Sequence, residues 1–367
     1  MKIAIDNRPL RGGHKVRGIG VYTRELIRAL KKAGGMDVAT LDVSKANLSK
    51  YDIVHSQEFH PYFPTLPRQK LGKRMVVTIH DAIPLVYPEK YPPGLSGKLN
   101  FFKQRQRLKN VDAIITVSET SKKDICRLLG VSPSKVYVIH NAPRGVFKNS
   151  KTKKAKSVRK RYKLPKTFVL YVGDVNYNKN LPTLIKACKK AGKTLVICGK
   201  QAAEIESLGT GLDVLAGPQD WLRFLFNKPH PETAHHGKLL GLVKANKVIR
   251  TGFVPDEDLV EIYKLATVYV QPSFYEGFGM PILEAASCGV PVIAAKNNAH
   301  VEVAGSAVAY FEPKSSEDLA KKIERIFENR DLREKLIKKG MEIAKNYSWE
   351  KSARETAKVY KTLMEKG

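Results

Sequence analysis

The sequence predicts an α/β protein built as two similar domains, each around a parallel sheet. Apolar runs of four to seven residues alternate with segments of helical period from one end of the chain to the other. Strands of that kind, joined by helical crossovers, belong to sheets covered on both faces. The alternation breaks once, over residues 142–166, and then restarts. At 367 residues the chain is long enough for two cores of ordinary size.

In the first half the strand candidates are KIAID (2–6), VATLDV (38–43), DIVHS (52–56), MVVTIH (75–80), AIITVS (113–118) and VYVIH (136–140). Helices are expected over 19–32, 98–110 and 120–130. The interruption holds prolines and the block KNSKTKKAKSVRKRYKLPK (148–166), with ten Lys/Arg and no acid. After it come FVLYVG (168–173), LVICG (195–199), DVLAG (213–217), KVIRTGFV (247–254), VYVQPS (268–273), PVIAA (291–295) and AVAYF (307–311). Helices are expected over 181–191, 256–266, 281–288, 316–329 and 331–345. Residues 218–246 fit neither period and read as irregular helices over one face. Their histidines point to packing and not to metal. His235 and His236 are neighbours that cannot both face one ion from a helix, and His230 lies across a proline.

The charge balance is 65 basic against 35 acidic residues, formally +30. A field of that size gathers anions, whether nucleotide phosphates, an acidic membrane surface or nucleic acid, and does not choose among them. The 148–166 block has almost no aromatic residue, which argues against a stacking platform for single strands. It reads first as a solvated linker and second as a contact for an anionic headgroup or ligand. Cys126, Cys188, Cys198 and Cys288 form no CxxC pair and no zinc spacing, and read as small buried apolar residues. No run approaches the length of a membrane span. MKIAIDNRPL reads as a first strand and its turn, not as an export signal. A cytoplasmic, reducing location is the expectation.

Three loops deserve a test for phosphate. GKT at 192–194 looks like the end of a Walker A loop, but Ala187 stands where the first glycine belongs and the segment leads into a strand. GGHKVRGIGVY (12–22) follows a strand and precedes a helix, and Gly18 and Gly20 permit close backbone approach or a positive φ. Thr23 breaks the full glycine spacing, so an ordinary tight turn stays open as the other reading. GDVNYNKNL (173–181) runs from strand to helix, and Lys179 sits near the first helical turn, where a cation opposes the dipole. Either an anion lies between them or the lysine faces solvent.

SFYEGFGMPILEAASCGVPVI (273–293) places two glutamates, Glu276 and Glu284, in the least polar stretch of the chain. A strand ends at Ser273, a loop follows, and Pro281 suits a first helical turn. Gly277 and Gly279 leave the backbone of that loop uncrowded, so its N–H groups can close on a diphosphate. Carboxylates there would repel phosphate and should serve hydroxyls instead. Amides and a lysine for a diphosphate, with carboxylates for sugar and ribose oxygens, is the logic of a sugar nucleotide. The alternative is that Glu284 only favours its helix N-terminus and Glu276 caps a turn.

These stretches resemble the retaining family 4 glycosyltransferases of GT-B fold, which use nucleotide-sugar donors. The signature is the E-x7-E element at 276–284 followed by NAHVEVAGSAVAYFEP. IDNRPLRGGHKVRGIGVYTRELIRAL, VVTIHDAIPLVYPEKYP, LYVGDVNYNKNLPTLIKA and NYSWEKSARETAKVYKTL extend the likeness over most of the chain, with 200–246 the least typical part. The resemblance implies two Rossmann-like domains whose parallel sheets face across a cleft. The first would span 1–163, on the acceptor side, and the second 164–347, holding the nucleotide-sugar donor. A C-terminal helix, 348–367, would cross back to the first domain. Carried over by position, Glu276 would contact the donor sugar near the reacting centre and Glu284 would hold ribose hydroxyls. Lys179 and the backbone of Phe278 and Gly279 would hold the diphosphate, Gly18 and Gly20 would let the first domain's loop approach it, and His80 would lie near the anomeric carbon. Asp174 and Asn178 stand where many relatives have an arginine, so one phosphate contact is missing or comes from elsewhere, such as Arg17 or the linker.

The implied reaction is transfer of a hexose, such as mannose or glucose, from a UDP- or GDP-linked donor to a hydroxyl acceptor, with retention. Same-face attack fits, because no nucleophile is evident on the opposite side. The scheme needs no metal and no cofactor, and no Asp-x-Asp donor loop is present. A glycan or lipid-linked acceptor is expected, either in solution or at an anionic membrane face. An epimerase or phosphorylase on the same fold is the enzyme alternative. A non-catalytic anion or nucleic-acid binder is the other class, and nucleic acid is not the expected partner because it leaves the carboxylate loop unexplained.

Overall fold

The computed structural model describes residues 1–148, 154–208 and 230–365. It divides into two compact units. The first comprises Met1–Pro88, Pro92–Ala142 and Tyr347–Gly367, the second Glu89–Tyr91 and Pro143–Asn346.

The first unit is built on a six-stranded sheet with every pairing parallel, in the order β2-β1-β3-β4-β5-β6. Its strands are β1 (Lys2–Asp6), β2 (Asp37–Leu41), β3 (Ile53–Ser56), β4 (Arg74–Thr78), β5 (Ala113–Thr116) and β6 (Val136–Val138). β3 and β5 are buried along their whole length, as strands with helices on both faces must be. Helix Gly18–Ala33 joins β1 to β2 and buries Val21, Tyr22, Leu26, Ile27 and Leu30, a spacing that gathers them on one side. Helix Glu119–Leu129 starts at Ser118, whose hydroxyl accepts from the Ser121 amide, and stops at Gly130 in the left-handed region. The last helix, Trp349–Glu365, packs on helix Gly18–Ala33. Ser352 Oγ donates to the His140 carbonyl at 2.6 Å, and Arg74 Nε to the Leu363 carbonyl at 3.1 Å. The sequence-based expectation that the chain's end joins the first unit agrees with this packing.

The second unit holds β7 (Val169–Val172), β8 (Leu195–Cys198), β9 (Val248–Gly252), β10 (Val268–Gln271), β11 (Val292–Ala295) and β12 (Ala309–Phe311). These form a parallel sheet in the order β12-β11-β10-β7-β8-β9. Val169 and Tyr171 face one apolar core with Leu181, Leu184, Leu319 and Ile323. Phe168 and Leu170 face the other, with Leu259, Tyr263 and Ile282. The alternation follows from the two-residue period of a strand. From β7 the sheet grows through β8 and β9 on one side and through β10, β11 and β12 on the other. The direction reverses between β7 and β10, and loops leaving the carboxyl ends of two such strands part company there.

Three features differ from the sequence expectation. The unit boundary falls between Ala142 and Pro143 and not at 163. The basic stretch contributes helix Ala155–Arg161, whose Val158 is buried with Leu259 and Tyr263 and whose neighbour Tyr162 donates to Asp258 at 2.9 Å. One buried valine in a short cationic helix leaves no periodic trace. Of residues 218–246, expected as irregular helices, 231–244 form a single regular helix, Pro231–Lys244, started by Pro231 at its first position, and 218–229 lie outside the described residues. The strand expected at 213–217 lies outside the described residues. No described helix is long and apolar enough to cross a membrane.

Candidate functional site

The site is built where the second sheet changes direction. Beyond β7 the chain passes Gly173 close under Gly199. A Cβ on Gly199 would lie 2.1 Å from the Gly173 carbonyl oxygen, so only glycine fits. The tight turn Tyr177–Lys179 then leads to Asn180, a non-glycine residue at φ 53°. Asparagine tolerates that region, and here its side chain is bonded to the carbonyls of Pro272 (3.0 Å) and Pro313 (2.7 Å). Asn178 Nδ2 donates to the Tyr275 carbonyl at 3.2 Å, and its own carbonyl accepts from the Phe274 amide at 2.8 Å. The lysine loop after β7 and the acidic loop after β10 are thereby laced together.

Lys179 and Glu276 meet across this join. Lys179 Nζ lies 2.8 Å from Oε1 and 2.9 Å from Oε2 of Glu276. Oε1 also accepts from Gln271 Nε2 (2.7 Å) and Ser273 Oγ (2.6 Å), while Oε2 accepts only from Lys179 among the described residues. Gln271 is itself held by the Tyr269 hydroxyl. Burial pushes the Glu276 carboxyl up, but Lys179, His300 and the hydroxyl of Ser273 outweigh it, and the net direction is down. Glu276 is 8% exposed and ionised.

Glu284 lies in helix Met280–Ser287 and is 2% exposed. Its partner is Arg144, in the segment after β6. Arg144 Nε donates to Oε1 at 2.7 Å and Nη2 to Oε2 at 2.9 Å, while Nη1 reaches Asp256 Oδ1 at 2.6 Å. The guanidinium also lies over the Phe147 ring, 4.5 Å from its centroid. Burial disfavours the cation, but the two carboxylates hold its pKa above the usual arginine value.

Phe278 is buried, and Gly279 opens the helix at φ 97°, a backbone that only glycine adopts without strain. Under it lies His300, fully buried, in helix Asn298–Ala304. Its Nδ1 donates to the Ala295 carbonyl at 2.7 Å, and its Nε2 has no partner among the described residues. A Cβ on Gly279 would touch this ring at 3.4 Å.

The other expected residues lie in the first unit. Gly18 begins helix Gly18–Ala33 and Gly20 is buried in its first turn. Neither has a positive φ, so only the close-approach part of the expectation remains. The same helix sets Tyr22 edge-on to His80, with ring centroids 4.7 Å apart. Burial pulls His80 down to about 4, partly offset by a hydrogen bond to the Gln57 backbone, so its ring is neutral near pH 7. His80 Nε2 is buried without a partner among the described residues.

The sequence profile described as Glycosyl transferases group 1 matches residues 152–343, just over half of the chain. The chain belongs to this family. A second profile, Glycosyltransferase Family 4, matches residues 38–142. Similar proteins include O-antigen chain mannosyltransferase B of Escherichia coli, 27% identical over 300 residues, covering 79% of this chain and 71% of the relative. Serotype-specific mannosyltransferase WbdA of Escherichia coli is 24% identical over 327 residues, 86% of this chain and 37% of the relative. The chain thus spans little more than a third of WbdA. Among solved structures, sucrose-phosphate synthase from Thermosynechococcus elongatus matches with a TM-score of 0.72 at 20% identity, covering 100% of both chains. Anabaena HepE in complex with UDP and glucose matches at 0.67 and 17% identity, covering 99% of this chain and 100% of that one. The fold is GT-B, and the protein is a glycosyltransferase.

In this glycosyltransferase the sequence motifs bring Lys179 and Glu276 into direct contact and set Phe278, Gly279 and Glu284 on the adjoining loop and helix. Arg144, Gln271, Ser273 and His300 were not singled out by sequence reasoning. Gln271 and Ser273 had a signal, since polar residues at a buried strand's end, just before a carboxylate, suggest support for it. Arg144 had none, being 140 positions from its partner. Asn178, standing where an arginine is common, is buried as the tie between the two loops. His235, expected to pack, donates from Nε2 to the Val175 carbonyl at 3.0 Å.

Proposed function

We propose that the protein transfers a hexose, mannose or glucose, from a UDP- or GDP-linked donor to a hydroxyl of a glycan or lipid-linked glycan, with the anomeric configuration retained. The observation that carries this reading is the Lys179–Glu276 pair, held where the strand order of the second sheet reverses. The mannosyltransferase relatives favour mannose.

On this reading a donor diphosphate draws Lys179 away from Glu276. Gln271 and Ser273 keep their hold on Oε1, so the carboxylate stays in place while Oε2 is released to a sugar hydroxyl. Charge builds on the leaving diphosphate in the transition state, where Lys179 and the first amides of helix Met280–Ser287 stabilise it more than in the ground state. One well-aimed donor of this kind contributes about 3 kcal/mol. Glu284 accepts ribose hydroxyls. Gly18 and Gly20 allow the first unit's loop to approach the donor. His80, neutral at pH 7, orients the sugar by a hydrogen bond and does not attack it. The acceptor attacks from the leaving-group side, and the departing phosphate takes its proton.

The test is incubation of the purified protein with UDP-glucose and GDP-mannose and a panel of hydroxyl acceptors, with the new anomeric centre assigned by NMR. An inverted product overturns the retaining mechanism. Turnover of the donor sugar without any acceptor overturns transfer in favour of an epimerase.

An acceptor at an anionic membrane surface is favoured by one feature of the first unit. Helix Gly94–Leu108 exposes Leu95 (64%), Leu99 (56%) and Phe102 (61%) at helical spacing, beside Phe63 (62%) on the adjoining loop. Lys98 and Lys103 lie exposed among them. Apolar side chains ringed by cations suit an acidic bilayer. Flotation with vesicles containing anionic lipid should recover the protein. Equal recovery of L95S/L99S/F102S would remove this part of the proposal.

A further inference from the structure

We infer that Tyr91 is a positioning residue for Lys179, holding the lysine loop through Asn178 so that the ammonium meets the donor diphosphate at a fixed place. The inference rests on the reading that the second unit binds a nucleoside diphosphate sugar.

Tyr91 belongs to the second unit with Glu89 and Lys90, although it precedes Asn178 by 87 positions. Its hydroxyl donates to Asn178 Oδ1 at 2.9 Å and accepts from the Asn178 amide at 3.3 Å, so both functions of the phenol are spent on one residue. Lys90 Nζ lies 5.0 Å from the centroid of the Tyr177 ring. Two consecutive residues, Lys90 and Tyr91, thus meet two consecutive residues of the turn Tyr177–Lys179. Pro88 before this short segment and Pro92 and Pro93 after it restrict its backbone, which lowers the cost of holding the phenol in place.

Asn178 is 3% exposed, and all four of its polar groups are bonded. The Tyr275 carbonyl takes its Nδ2 and the Phe274 amide its carbonyl, while Tyr91 takes the other two. Without the phenol hydroxyl, a buried N–H and a buried amide oxygen lose their partner, and the turn must shift to satisfy them. Lys179 is the next residue. While it faces Glu276, the ion pair itself fixes the ammonium. Once a diphosphate draws the lysine away, its place is set by the backbone beneath it, anchored through Asn178 on one side and Asn180 on the other. The Tyr91 hydroxyl therefore acts chiefly on the state with phosphate bound, and acts through the Lys179 charge.

The experiment uses the whole chain and measures binding of UDP and GDP by calorimetry. The nucleotide that binds more tightly is then carried through Y91F, K179M/E276Q and the triple variant. The double variant removes the charge without stranding a buried carboxylate. Y91F should bind the nucleotide about fivefold more weakly than wild type, whereas adding Y91F to K179M/E276Q should change binding by less than about twofold. In turnover assays with the transfer substrates, kcat of Y91F should fall about tenfold, because the lysine acts most strongly on the departing diphosphate, while the acceptor KM stays within about twofold. Wild-type binding and kcat in Y91F overturn the inference. An equal loss of binding in both backgrounds also overturns it, since Tyr91 then supports the fold and not the lysine. If the double variant binds too weakly to measure, the turnover arm decides: a kcat loss in Y91F without a change in acceptor KM supports the inference, and a loss shared with acceptor KM overturns it. A wild-type protein that binds neither UDP nor GDP instead overturns the donor reading, and the role of Tyr91 falls with it.

Discussion

The hydroxyl of Tyr360, on the last helix, lies 2.6 Å from Nδ1 of the buried His55 on β3. The other ring nitrogen of His55 is 2.8 Å from Thr78 Oγ1, and that hydroxyl is 3.3 Å from the hydroxyl of Tyr22. Tyr22 in turn meets His80 edge-on. A polar thread inside the first unit thus connects the end of the chain to the histidine proposed to meet the sugar. Y360F should leave His55 Nδ1 without a partner and cost about 1–3 kcal/mol, read from urea unfolding of the protein. An unchanged midpoint would show that the thread carries no stability.

The same histidine sets an acid limit. Burial pulls His55 down to about 3 and His80 to about 4, whereas both return to the ordinary value near 6.5 when the chain unfolds. Between those values the unfolded chain binds more protons than the folded one, so stability is complete above about pH 6.5 and falls as pH drops toward 4. Each histidine contributes a slope of up to about 1.4 kcal/mol per pH unit. Thermal melts from pH 7.5 to 4.5 should show this decline, and H55Q should flatten it.

Breaking the Lys179–Glu276 pair from one side should be worse than removing both charges. K179M leaves a buried carboxylate with only Gln271 and Ser273, at a cost of about 3–5 kcal/mol. K179M/E276Q should recover much of that stability while transfer stays lost. If the double variant is no more stable than K179M, the pair is not coupled in the folded protein.

Glu284 should behave as a structural residue as well as a binding one. E284A leaves the buried Arg144 cation with Asp256 as its one carboxylate and should cost up to about 3 kcal/mol, while E284Q, which keeps one acceptor oxygen, should cost less. Calorimetry on both variants reads the difference.

G199A should not fold to the native state, because its methyl group would lie 2.1 Å from the Gly173 oxygen and backbone has nowhere to move. G279A should fold with a strained loop and lose transfer, since alanine at φ 97° is unfavourable by about 1–3 kcal/mol. Circular dichroism and activity together separate the two outcomes.

The strands were legible because those of a parallel sheet bury both faces and appear as unbroken apolar runs, as IVHS and AIIT do. Helix Ala155–Arg161 was not, because a single buried valine among cations carries no period. The acidic loop and the lysine loop were each recognisable from glycines, prolines and their place after a strand. Their pairing was not, since Lys179 meets Glu276 from 97 positions away and nothing local to either loop marks the other. Arg144 shows the same limit more sharply. A salt bridge formed by tertiary packing leaves no local mark on either partner.

The ammonium of Lys179 has a counter-ion in Glu276, and on the proposed function that has a bearing on selectivity. Every anion in solution must outcompete a carboxylate already bonded through both oxygens before it gains the lysine. A small singly charged ion has little to offer in that exchange, whereas a diphosphate bearing a sugar brings several charges and a hydroxyl for the oxygen left behind. On the proposed function, the ion pair would act as a filter that keeps Lys179 from abundant simple salts.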